Sequence, residues 1–247
     1  MDAFENKSTN DIADSIIKSF AQGSKYTVFS LGSNPKRKIQ IRRILDKVSK
    51  TPYLMFLEQR KRETQEWEIV FADITLISRE IANDFSEDTY KYIGFDICID
   101  SVKGRIYKTF FINFSYHSLK RVIERCDITT LSTPSKVKSF LSAMIKPIFL
   151  RCLFMYEEMY NEMRYSTEHN FLKKRESYIV YNGIFMPIVM EISKNKYNKP
   201  AFSFAIKTVM PDTYNGAQNT IREKNIEKTK DSIFDYFYLV EPYAETK

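Results

Sequence analysis

The chain of 247 residues carries 38 Lys and Arg against 31 Asp and Glu, a formal net charge of +7, with 43% hydrophobic and 15% aromatic residues. That is enough apolar side chain for a sizeable core, and its six glycines form neither G-x-x-x-x-G-K-[ST] nor G-x-G-x-x-G, which excludes both Gly-rich phosphate loops. Cys98, Cys126 and Cys152 make no C-x-x-C pair and the histidines are two, His117 and His169, which argues against a disulfide framework, a zinc site and any metal or cofactor.

The elements follow in chain order. The N-terminal MDAFENKSTN lacks the charged-then-apolar order of a secretory signal, and a reducing, cytoplasmic setting is expected. Residues 10–21 space Ile12, Ile16, Ile17 and Phe20 as a helix does. Residues 37–49 read as a second helix, with Ile39, Ile41, Ile44, Leu45 and Val48 apolar. Its basic run from Lys36 to Arg43 is either a solvated face or part of a nucleic-acid surface. Residues 52–59 and 66–78 read as a hairpin, and 91–100 with 105–114 as a second one turning at Val102-Lys103-Gly104. A composition shift at 80–90 suggests an N-terminal α+β region over 1–85 and a second region over 86–247, unless both belong to one domain.

Thr133-Pro134 is a helix start, and a long helix is expected over about 134–163, bent near Pro147. Its apolar run, Phe140 to Tyr156, is interrupted by Lys146, Pro147 and Arg151, so it reads as a buried helix and no membrane partner is expected. Residues 177–192, 200–210 and 233–240 are strand-like, with Asn182-Gly183 as a two-residue hairpin turn. Residues 212–231 read as a loop or a short mobile helix. The fold class is therefore α+β, with antiparallel sheet and flanking helices.

The stretch FSYHSLKRVIERC, Phe114 to Cys126, carries the most chemistry. With His117 at the origin of a helical wheel, Arg121 falls near 40° and Arg125 near 80°, taking roughly 100° per residue. Leu119, Val122, Ile123 and Cys126 form the opposed apolar seam. Ser115 is the N-cap candidate, which puts His117 in the first turn, where the helix dipole disfavours imidazolium. A neutral imidazole beside two guanidinium forks suits metal-free RNA cleavage: a base takes the 2′-hydroxyl proton and cations hold the phosphorane. The plainer alternative is a solvated amphipathic helix whose arginines pair with carboxylates.

The run S-x-H-S-L-x-R-x-I-x-R resembles the H-A-x-x-R-x-x-x-R helix of bacterial toxin-type ribonucleases, the barnase–EndoU–colicin–RelE group. The resemblance extends over about residues 112–211, into an antiparallel sheet whose strand AFSFAIKTVMP carries Lys207-Thr208 near its end. It implies His117 as general acid or base, Arg121 and Arg125 as phosphate ligands, and Lys207 and Thr208 as transition-state and orienting groups. Ser118 stands where the family usually has Ala, and Val209-Met210-Pro211 replaces Tyr-Pro. RNA, tRNA among the candidates, is the implied substrate, and an antitoxin or immunity protein the implied partner in a toxin or defence role.

Lys120, beside His117 on the wheel, and Tyr214, as a stacking platform, are candidate nucleic-acid contacts. His169 lies in a polar stretch and reads as a surface residue, while Glu157, Glu158 and Glu162 read as a solvated helix end or a hydrolytic carboxylate pair. Two other functions stay open: a non-catalytic nucleic-acid binder, and an interaction module whose basic face meets an acidic partner.

Overall fold

In the computed structural model, residues 38–51, 54–61, 63, 67–77, 92–101, 104–106, 112–126, 134–165, 172–194, 200–206, 208–224 and 228–236 are described, with Asp11 and Ser15. The fold is α+β. The described elements are α1 (Lys38–Lys50), β1 (Leu54–Lys61), β2 (Trp67–Ile77), β3 (Tyr92–Ser101), β4 (Gly104–Ile106), β5 (Ile112–Phe114), α2 (Tyr116–Arg125), α3 (Pro134–Tyr165), β6 (Leu172–Tyr181), β7 (Ile184–Lys194), β8 (Pro200–Ile206), β9 (Met210–Pro211) and α4 (Asn215–Glu223), followed by a 3-10 turn, Ile233–Tyr236.

The strands form one sheet in the order β1-β2-β3-β5-β8-β7-β6, with β4 added on β3 and β9 on β7. Neighbours are antiparallel except β5 and β8, which run parallel with Ile112 opposite Phe204 and Phe114 opposite Ile206. The composition shift at 80–90 lies outside the described residues; β2 and β3, on either side of it, pair from Ile69↔Asp100 to Ile77↔Tyr92. The β6–β7 hairpin turns on Asn182 (φ 47°) and Gly183 (φ 73°), the two consecutive left-handed residues of a type I′ turn, which match the right-handed strand twist.

Strand alternation sorts the sheet's two faces. Met55, Val70, Ile112, Phe114, Ile188, Phe204 and Ile206 look toward α3 and build the main core with its Leu141, Ile145, Phe149, Leu153 and Tyr156. α3 is apolar on most of its circumference, as expected of a helix buried by neighbours. Its segment Lys138–Met163 is long and apolar enough to cross a bilayer, but those apolar positions pack inside the fold. The helix continues on both sides of Pro147. The other face is covered at its two ends: α1 packs Ile41, Ile44 and Val48 on Leu54, Ile69 and Phe71, and α4 packs Ala217 on Tyr178 and Phe185.

One expectation changes. The strand expected at 233–240 is a 3-10 turn over its described part. Ile233, Phe234 and Tyr236 are all buried there, with Asp235 turned to solvent. The stretch 212–231 contains a short helix, α4, one of the two alternatives expected there, anchored where Tyr178 Oη donates to the carbonyls of Ile221 (3.4 Å) and Lys224 (3.2 Å). The helix expected at 10–21 lies almost wholly outside the described residues.

Candidate functional site

α2 begins one residue beyond β5. Ser115 is its N-cap, with extended backbone (φ −66°, ψ 151°), and its Oγ accepts the Ser118 N–H at 3.0 Å. Val122 seats the apolar side of the helix in the main core. Ser118, fully buried, has its Oγ 2.8 Å from Ser115 Oγ and donates to the Ile206 carbonyl at 3.3 Å. The Ser118 hydroxyl thus ties the helix to the end of β8. At the other end of α2, Arg125 donates through Nη1 to the Val209 carbonyl. The helix thus grips the chain on both sides of Thr208, which is half-buried between the two anchors.

The parallel β5–β8 pair explains why these residues meet. Both strands leave the sheet at the same edge, β5 into α2 and β8 toward Thr208. Sheet order passes there from the N-terminal meander, β1-β2-β3-β5, to the C-terminal one, β8-β7-β6.

His117 lies in the first turn of α2 and is half-buried. Arg121 Nε donates to its Nε2 at 3.4 Å, a long and weak bond, and Arg121 Nη1 donates to Glu124 Oε2 at 2.8 Å. The Arg121–Glu124 pair is part-exposed, with side-chain exposures of 41% and 23%, and such pairs contribute at most about 1 kcal/mol. A phosphate can therefore displace Glu124 at modest cost. Partial burial, then the neighbouring Arg121, lowers the Arg125 pKa, and Glu124 offsets part of that; the guanidinium remains charged at neutral pH.

The remaining candidates separate from this group. Lys120 lies on α2, its side chain outside the described residues, as are Lys207 and His169 entirely. Tyr214 is 60% exposed at the N-cap position of α4, with no side-chain cap bond, and no described contact joins it to α2. The three acidic residues on α3 each meet a cation: Glu157 with Lys230 (3.0 Å), Glu158 with Arg175 (2.5 Å) and Glu162 with Lys173. Among the described residues no group of three His, Cys, Asp or Glu side chains could hold a metal ion.

Two features had no sequence signal. Asn113 on β5 is buried, its Oδ1 without a hydrogen-bond partner, on the sheet face opposite the main core. A cleft of about 620 Å3 opens between α1, β1 and α3, lined by Leu45, Met55, Phe56, Lys138, Ser142 and Lys146 among others, with no residue of α2. There Lys138 Nζ closes the C-terminus of α1 by donating to the carbonyls of Val48 (2.6 Å), Ser49 (3.0 Å) and Thr51 (2.6 Å), while burial lowers its pKa to about 8. No protein-family model, curated protein or solved structure matches the chain.

Proposed function

We propose that the protein is a toxin- or defence-type endoribonuclease that cleaves RNA without a metal at the junction of α2 with the end of β8. The observation that carries this reading is the double anchorage of α2, Ser118 to Ile206 and Arg125 to Val209, which holds Thr208 beside the helix bearing His117 and Arg121. In this account the phosphate displaces Glu124 from Arg121, and the ring of His117, released from its weak bond to Arg121, takes the ribose 2′-hydroxyl proton. The 2′-oxygen attacks the adjacent phosphorus. Arg121 and the unused N–H groups of Arg125 neutralise the phosphorane, and Thr208 orients it. The bond to the 5′-oxygen breaks and water protonates the leaving group, giving a 2′,3′-cyclic phosphate. The partner this reading implies is a cognate antitoxin or immunity protein.

The test is end-group analysis of an oligoribonucleotide incubated with the protein and a chelator. Cyclic-phosphate ends, abolished by a single 2′-deoxy nucleotide at the cut position, are expected; hydroxyl-ended products or a requirement for added metal would overturn the reading. One observation favours a second reading, a binder without catalysis: the exposure of Tyr214 at a helix start, where a base can stack. That reading expects retention of intact RNA, weakened by Tyr214→Ala.

A further inference from the structure

We infer that the outward face of α1 is a docking surface for the phosphate backbone of a nucleic-acid strand, separate from the α2 junction and not dependent on cleavage there. The helix has two unlike sides. Ile41, Ile44 and Val48 are buried on the sheet, whereas Arg42, Arg43, Lys47 and Lys50 are exposed. Asp46 is the helix's one acidic residue, and it meets Lys50 at 2.7 Å with both side chains largely in water, a pair that neutralises little. Neither Arg42 nor Arg43 has an ion-pair partner among the described residues. By contrast Arg121, Lys146, Lys173, Lys174, Arg175 and Lys230 are each matched by a carboxylate. Among the described residues of α1, four exposed cations thus share the solvent side of the helix with a single carboxylate, Asp46.

The chemistry of the partner follows from what the helix leaves available. A helix that lies on a membrane inserts its apolar side, and here that side is already buried in the fold. The free side offers guanidinium forks, which match phosphate oxygens bidentately, over an axial span from Arg43 to Lys50 of about 10 Å, the reach of about three phosphates along a strand. Ile39, 57% exposed in the first turn, adds an apolar contact for a sugar or base edge.

The test measures fluorescence anisotropy of a labelled single-stranded RNA and a labelled DNA duplex across a salt series, for the full chain and for Arg42→Glu/Arg43→Glu. The expected result is at least tenfold weaker binding and a shallower slope of log K against log salt, by about 1.4 on single-stranded RNA. Stronger loss on one of the two probes identifies the strand type and supports the inference. Unchanged affinity and slope would overturn it, as would absence of binding by the unmodified chain, or binding of that chain to anionic phosphatidylserine vesicles alone. Arg42→Gln/Arg43→Gln is the milder variant should the reversed one lose its circular dichroism. His117→Ala is the control: loss of cleavage with retained binding separates this surface from the α2 site.

Discussion

Arg125, in the last turn of α2, donates to the main-chain carbonyl of Val209, 84 residues further along the chain. This bond fastens a helix that follows one strand of the parallel pair to the segment that follows the other. Replacing Arg125 by Met keeps the stem and removes the donor. Chemical denaturation is expected to show a loss of about 1 kcal/mol, the central value for one hydrogen bond at a part-exposed site. Hydrogen exchange at 208–210 should rise more than in β6 or β7; uniform exchange would contradict the fastening role.

Ser118→Ala removes the second anchor. The residue is fully buried, so the Ile206 carbonyl and the Ser115 hydroxyl lose a partner that water cannot replace. A cost of about 1–2 kcal/mol is expected from denaturant midpoints at constant m-value. Ser118→Val should cost more, because it adds volume at a closed contact without restoring the donor.

Glu58 ties the C-terminal segment to the core. Its carboxylate accepts from Ser232 Oγ at 2.6 Å and the Ile233 N–H at 3.0 Å, and meets Lys146 at 3.2 Å. Glu58→Ala strands all three, with an expected cost of about 2–4 kcal/mol. Limited proteolysis should then cut near 228–236 before the rest of the chain unfolds, since Ile233, Phe234 and Tyr236 would lose their anchor.

Cys126 caps α2 and packs against the core, and burial pushes its thiol up from 9.0 to about 11. The folded state therefore keeps this proton while the unfolded state loses it above pH 9. Its stabilising contribution is complete below pH 9 and falls as pH rises from 9 through 11. The difference in stability between the native chain and Cys126→Ser should shrink across that window. At pH 8 the native thiol should alkylate about 100-fold more slowly than in denaturant, in proportion to its thiolate fraction. Equal rates would contradict the burial.

Much of this architecture is legible locally. The Asn182-Gly183 turn, the Ser115 cap, the start at Pro134 and the apolar length of α3 are written in contiguous residues, and each appears in the structure. The parallel pairing of Ile112–Phe114 with Phe204–Ile206 is not, because it joins two segments about 90 residues apart and depends on which strands find each other. The same separation hides both α2 anchors, because the bonds of Ser118 to Ile206 and of Arg125 to Val209 join residues more than 80 positions apart. The buried Asn113 amide is invisible for another reason, since the short run Ile-Asn-Phe does not tell which face of the sheet will be covered.

The most direct measurement is the rate of RNA cleavage with chelator present, for the native chain beside His117→Ala, with Lys228→Ala, at an exposed position outside the site, as the reference. The account predicts cleavage by the native chain and the reference, and a fall of about 10²–10⁴-fold in His117→Ala with circular dichroism unchanged. Cleavage at the native rate by His117→Ala, or no cleavage by the native chain, would contradict it.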